Sequence, residues 1–421
     1  MMRSSLAVTL LVAAAQLCFA WPHGWGELRD QMWVDFAGRD HQYFPTASEW
    51  QFVADNYAIV SLSACFAQRD YPYNEDSVVA GATILKRLNQ SIKVLNYFNT
   101  FIDFSSCYRS GNVFDAHPSW WLRDDSGVPY VAHHDAATKF HDLTQQAVRD
   151  YVATATTNLT NRSALFDGAF GDKAGDVRMP RMSDARNAQL IADHHLQLNA
   201  TRLRIERDFA PGAQYFSNSF ALHGDDPPQH GAEVLPFVDG VIFEHFMSFE
   251  MLDARGNGSL VPRLYQEALD LIDFATRRGK AVLVRGWPGP VAVPITRLGP
   301  SYLASSGLAT PITAADRAAA LQQWVTPSLA GYLIAASSTT YWTYNWWYTI
   351  TDGVTPCAVG KCSGPAEWYP AMQHPIGNPL GPYTRDPGTW VYRRRFEWAD
   401  VVFDASNMER SNVTFRSPYV R

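Results

Sequence analysis

The chain of 421 residues carries 35 Lys and Arg against 41 Asp and Glu, a formal net charge of -6. That balance excludes a nucleic-acid partner, because phosphate binding calls for a concentrated basic face. The 14 Trp and 19 Tyr are many, and their amphipathic rings have two uses, bulk for a core and flat faces on which sugar rings stack.

The first twenty residues combine Arg3, an apolar run from Leu6 to Leu17 and small residues at Cys18 and Ala20, the pattern of a secretory signal with its cleavage site. The run falls short of the about 20 residues that span a bilayer, so no membrane anchor is expected. Residues 21–421 are then read as one secreted, extracellular domain. Six N-x-S/T sequons, at Asn89, Asn158, Asn161, Asn199, Asn257 and Asn412, read as acceptors of N-linked glycans. Beyond the signal stand Cys65, Cys107, Cys357 and Cys362, an even set suited to an oxidising compartment. Of the three possible pairings, Cys357 with Cys362 and Cys65 with Cys107 are favoured. Their spacing lacks the paired pattern of zinc ligands, and no metal or cofactor is expected.

Eight short runs rich in β-branched and aromatic residues follow one another: Met32 to Phe36, Tyr57 to Ser63, Lys93 to Asn99, Ala164 to Asp172, Gln214 to Phe220, Gly240 to Phe246, Ala281 to Trp287 and Thr340 to Trp346. Helical patterns at Ser48 to Asn56, Asp76 to Gln90, Thr144 to Leu159, Asp184 to Phe209, Val261 to Arg278 and Ala314 to Ala335 separate most of them. Two connections lack a helix. Strands alternating with helices imply a parallel sheet, and eight such units predict a (β/α)₈ TIM barrel in the α/β class. Long segments at Cys107 to His141 and Thr351 to Trp390 read as loops over the catalytic face. Trp390 to Phe396 and Asp400 to Phe403 read as a short C-terminal β extension.

Seven of the eight runs end at or near a polar residue, namely Asp35, Asn99, Asp172, Asn218, Glu244, Arg285 and Asn345. In a barrel those ends form one rim, where active sites sit. The fourth and sixth runs share a pattern, Asp167-Gly168 leading to Asp172 and Asp239-Gly240 leading to Glu244, which places both terminal carboxylates at one height with one side-chain parity. Glycoside cleavage needs two carboxyl groups flanking one bond. Glu244, preceded by Val241-Ile242-Phe243, is expected to have a raised pKa and to act as general acid/base, and Asp172, beside Lys173, to be the ionised nucleophile. Asp167 is the rival nucleophile. Asp35, Asn99, Asn218, Arg285, Trp287 and Asn345 are candidate substrate contacts, with Trp120, Trp121, Trp346 and Trp347 as a candidate stacking platform. His133-His134 and His194-His195 are expected to be solvated. No G-x-S-x-G elbow, phosphate loop, dinucleotide fingerprint or H-E-x-x-H is present, so serine hydrolase, kinase, dehydrogenase and zincin readings drop out.

Several segments resemble the hypothetical glycosyl hydrolase-like family 15, a group of TIM-barrel chains assigned to glycoside hydrolases. They are Val94 to Asn99, His141 to Thr144 with Val148 to Tyr151, the Asp-Gly strand, Val284 to Gly289, and Gly377 to Gly381 through Arg395-Phe396. The D-G-x-x-x-D strand is also similar to the nucleophile strand of α-amylase-type and polygalactosaminidase-type barrels, which implies Asp172 as nucleophile. An acid/base on the sixth strand resembles the α-galactosidase-type arrangement and implies Glu244, while Gly171 departs from the bulky residue usual before the nucleophile. The resemblance implies a glycosidase with a two-carboxylate mechanism, retaining in preference to inverting; together with the secretory signal, the expectation is an enzyme acting on an extracellular oligo- or polysaccharide. The competing class is a lectin-like barrel that binds carbohydrate without cleaving it.

Overall fold

The computed structural model describes residues 21, 25, 27–36, 44–103, 107–131, 138–159, 163–175, 177–222, 230–248, 251–252, 259–287, 314–344 and 369–416. Eight parallel strands run in chain order around one sheet: β1 (Trp33–Phe36), β2 (Ile59–Leu62), β3 (Lys93–Asn99), β4 (Gly168–Asp172), β5 (Gln214–Asn218), β6 (Gly240–Phe243), β7 (Ala281–Gly286) and β8 (Thr340–Tyr344). A parallel bridge from Met32 to Trp342 brings the last strand back to the first. The expected TIM barrel is therefore the fold.

Period-two alternation sorts the side chains of each strand. Trp33, Ile59, Leu95, Tyr97, Phe170, Phe216, Ile242, Leu283 and Tyr341 fill the barrel interior. Val34, Val60, Val94, Ala169, Tyr215, Val241, Val282 and Trp342 face the helices in a second, larger core. Trp21 seals the floor, with its ring 5.0 Å from that of Phe216 and its indole N–H donated to the Gly212 carbonyl.

The outer layer holds α1 (Ala47–Asn56), α2 (Asn74–Leu88), α3 (Gln146–Thr157), α4 (Asp184–Asp208), α5 (Pro262–Thr276) and α6 (Ala314–Ala335). Their starts follow local rules. Thr46 and Glu49 form a capping box at α1, and Pro262 opens α5, where a missing N–H costs nothing. Among the described residues between β5 and β6, the helical segment is a 3₁₀ one, Ala232–Phe237, containing Pro236. It follows Gly231 at φ 86°, where a Cβ would collide with the Ser219 carbonyl.

The C-terminal extension is larger than expected. Four antiparallel strands, β9 (Thr384–Arg385), β10 (Val391–Arg395), β11 (Ala399–Asp404) and β12 (Asn412–Phe415), pack Tyr392, Val401 and Phe403 into the helix-layer core. The outer strands escaped notice because β9 has two exposed residues and β12 four short alternating ones. The Cys65–Cys107 disulfide forms as expected, tying the loop after β2 to the loop after β3. Cys357 and Cys362 lie outside the described residues.

Gly171 has a packing reason. It shares the outward parity of Ala169, and a Cβ there would come within 2.8 Å of the Tyr215 ring. Gly171→Ala is expected to destabilise the fold by about 1–3 kcal/mol through overpacking. In a Tyr215→Leu background the same substitution should cost less, a non-additivity that denaturant melts of the four-variant cycle will read.

Candidate active site

The C-terminal ends of β3 to β7 converge on two carboxylates. Asp172, the last residue of β4, accepts four hydrogen bonds: at Oδ2 from the Tyr97 hydroxyl (2.5 Å) and Asn99 Nδ2 (2.9 Å), at Oδ1 from Asn218 Nδ2 (2.9 Å) and the Lys173 backbone N–H (2.7 Å). The Asn99 amide cannot be turned the other way, since its Oδ1 accepts from the Phe101 and Ile102 N–H groups. Glu244 immediately follows β6. Its Oε2 accepts from the same Asn218 Nδ2 at 2.6 Å and stands 3.1 Å from His245 Nε2. One amide nitrogen thus donates a hydrogen to each carboxylate.

Arg285 at the end of β7 is 2% exposed, with its guanidinium carbon 5.7 Å from the Trp33 ring centre and 5.6 Å from that of Trp287. Trp287 donates its indole N–H to the Glu244 carbonyl at 2.7 Å. Asp35 at the end of β1 accepts from the Ser63 hydroxyl. The structure therefore gathers Asp35, Asn99, Asp172, Asn218, Glu244, Arg285 and Trp287 at one rim. It adds Tyr97, Ser63 and His245. Tyr97 was legible in principle, because it precedes Asn99 by two residues and shares its inward parity.

Other candidates lie elsewhere. Asp167 sits at the opposite end of β4 from Asp172, ion-paired with Lys86 (2.6 Å) and Lys93 (3.3 Å) and accepting from the Val94 N–H. Asp239 does the same below β6, taking bonds from Arg202 Nε and the Tyr215 N–H. The Asp of each Asp-Gly pair thus pins the barrel floor to the preceding strand, and Asp167 is no rival nucleophile. Trp120 packs on His117 and Tyr151, and Trp121 lies under the Lys139 ammonium at 5.1 Å. None of these partners belongs to the carboxylate network. Asn345, Trp346, Trp347, His133 and His134 fall outside the described residues. His194, expected to be solvated, is buried on the inner face of α4, and its pKa is pushed down to about 3 by burial and by His195.

The electrostatics also differ from expectation. Burial pushes both carboxyls of the pair upward. For Glu244 the opposing pull of His245, Arg285 and Asn218 wins and holds it below the usual carboxylate range. For Asp172 the Glu244 charge adds to burial, and the carboxyl lies above that range despite its hydrogen-bond donors. The apolar sequence neighbours of Glu244 do not act as supposed, because alternation sends Val241 and Phe243 to the helix layer, while the groups that lower the carboxyl are His245, next in sequence, and Arg285 and Asn218 from β7 and β5. Lys173, likewise, reaches Asp172 through its backbone N–H, with the residue in a left-handed turn at φ 52°.

Asp35 is pushed up to about 6 by burial, against Arg285 and the serine hydroxyls. A carboxyl raised in the folded state binds its proton more tightly there than in the unfolded chain. The fold accordingly loses stability as pH climbs from about 4 to about 6, by about 3 kcal/mol, and nothing further above that. Asp35→Asn should remove this slope, which urea midpoints compared between pH 4 and 7 will register as a wild-type-to-variant difference that grows with pH.

A small cavity opens beside the pair, with Tyr97, Asn99, Asp103, Tyr108, Ser110 and Tyr151 among its walls. Tyr108 adjoins the disulfide at Cys107 and donates its hydroxyl to the Tyr97 carbonyl. Among the described residues there is no cluster of metal-ligating side chains, and no helix is long and apolar enough to cross a membrane.

A family model described as hypothetical glycosyl hydrolase family 15 matches residues 86–400. No curated protein matches the sequence. Among solved structures, the chain is similar to the glycoside hydrolase domain of PelA from Pseudomonas aeruginosa, at 15% identity over 66% of this chain and 91% of that one, with a TM-score of 0.40. It is also similar to the maltogenic α-amylase AmyB from Thermotoga neapolitana, at 12% identity over 90% and 86% of the two chains and a TM-score of 0.49. The α-amylase of Geobacillus thermoleovorans complexed with acarbose matches at 10% identity over 89% and 86%, with a TM-score of 0.49.

Proposed function

The chain belongs to the hypothetical glycosyl hydrolase family 15, a membership that carries the glycosidase class, and from it we propose a secreted enzyme that cleaves O-glycosidic bonds of an extracellular oligo- or polysaccharide with retention of configuration. The observation that carries this reading is the amide nitrogen shared by Asp172 and Glu244. Distances of 2.9 and 2.6 Å to one atom keep the two carboxylate oxygens within about 5.5 Å of each other. That upper bound on the facing oxygens agrees with a retaining pair, whose carboxyl groups stand about 5 to 5.5 Å apart, better than with the roughly 6.5 to 9.5 Å that admits a water between acid and base.

In the proposed cycle Glu244 protonates the glycosidic oxygen while Asp172 attacks the anomeric carbon, and the C–O bond to the leaving group breaks. A glycosyl ester of Asp172 remains. The Glu244 carboxylate then takes a proton from water, whose oxygen attacks the same carbon and frees Asp172. The unliganded pair favours the opposite distribution of its proton, but two groups this close titrate together. Once Glu244 is protonated, the charge that adds to burial in pushing Asp172 up is gone, and four donors oppose the burial that remains, favouring Asp172 as the anion. Positive charge developing at the anomeric carbon favours that state further.

Secretion is supported by the Cys65–Cys107 disulfide, a bond suited to an oxidising compartment. The decisive measurement is a panel of oligo- and polysaccharides incubated with the full chain and with Asp172→Asn. Reducing ends should appear with the former alone, and proton NMR of the first product should show the retained anomer. Binding without cleavage would return the chain to the lectin-like reading, and an inverted anomer would make Asp172 a general base.

A further inference from the structure

The inner face of α4 is formed by Leu190, His194, Gln197, Leu198, Thr201 and Ile205, all buried. On its outer face, Leu196 and Leu203 stand 57% and 52% exposed, with exposed Ala192 one turn before Leu196. Large apolar side chains at that exposure are normal when scattered singly. Here two lie on one stripe, which exposed Ala185, Ala188 and Ala192 continue toward the start of the helix, and the residue between the leucines is Asn199 of the sequon Asn199-Ala200-Thr201. At three residues from Leu196 and four from Leu203, Asn199 shares their face.

We propose that Asn199 carries an N-linked glycan that lies over Leu196 and Leu203 and covers this stripe. Attachment forms a C–N bond from Asn199 Nδ2 to the first sugar as that sugar's C–O bond to its lipid-linked diphosphate donor breaks, and the displaced Nδ2 proton leaves with the lipid diphosphate, during synthesis and before Thr201 is buried. The proximal sugars present C–H faces and an acetamido methyl group that can cover leucine side chains while their hydroxyls stay in water. A second copy of the chain docking on the leucines is the competing occupant. The proposal rests on entry into the secretory pathway, for which the exposed sequon residues Asn158 and Asn412 serve as internal markers.

The test is glycopeptide mapping of the full chain expressed in eukaryotic cells with its own leader, beside Asn199→Gln. Asn199 is expected to be occupied, and the variant to lose one glycan step on a gel and to bind more of the dye ANS. Adding Leu196→Ser and Leu203→Ser to Asn199→Gln should return dye binding to the wild-type value. An unmodified Asn199 on a chain glycosylated at Asn158 or Asn412 overturns the shield while leaving secretion standing. A chain bare at every sequon overturns both. Occupancy without a rise in dye binding by Asn199→Gln also overturns the shield, and an unglycosylated dimer that the leucine substitutions dissociate assigns the stripe to a second copy.

Discussion

Asp172→Ala is expected to lower kcat by roughly 10⁴-fold or more on any accepted substrate, the scale seen when a nucleophile is removed. Glu244→Ala should cost about 10² to 10⁴, the usual worth of a positioned acid/base. The two losses look alike in rate alone, and azide separates them. In Asp172→Ala the vacated space admits azide to the anomeric carbon of an activated aryl glycoside, expelling the phenolate once and giving a glycosyl azide of inverted configuration. In Glu244→Ala the aryl group leaves without protonation, the Asp172 ester forms, and azide displaces the carboxylate to give the retained azide. An exchange of these two products would swap the roles of Asp172 and Glu244, which is the distribution that the unliganded electrostatics alone would suggest.

The assignment of strands and of most rim residues was legible because both depend on local periodicity. Lys93–Asn99 alternates inward Leu95, Tyr97 and Asn99 with outward Val94, Asn96 and Phe98, and a strand of that pattern ends where its polar residue meets the rim. What could not be read were relations between strands. Nothing adjacent in sequence places Arg285 near Glu244, or one nitrogen of Asn218 between two carboxylates. The Asp-Gly repeat shows both sides of this limit. Its spacing correctly set Asp172 and Glu244 level, yet the same motif made Asp167 look chemical when its partners, Lys86 and Lys93, pin it to the floor. Trp120 and Trp121 stand apart from the carboxylate network for a related reason. Trp120 is buried in part by Tyr151, a residue of α3 that lies 31 positions later in the chain.

Asn218 was expected to contact substrate, and its position between the carboxylates calls for a different outcome on substitution. Asn218→Ala removes one donor from each member of the pair, in a buried setting where such a bond is strong. By analogy with the loss of one preorganised donor, kcat should fall by about 10² to 10³-fold. KM should change little, because the amide's hydrogens are already committed to protein oxygens. The pH profile provides a second readout. Asn218 is among the groups that hold both carboxyls down, so its loss should move the acid limb of kcat/KM upward in pH, whereas a merely loosened fold would not shift it. Stereochemistry provides the third. Without the shared nitrogen the gap between the carboxylates is free to widen, and a water that enters it attacks from the face Asp172 now uses, so some inverted anomer should appear beside the retained product. A variant with kcat unchanged and KM raised would restore Asn218 to the substrate-binding role and leave the carboxylate spacing to Tyr97, Asn99 and the backbone at Lys173.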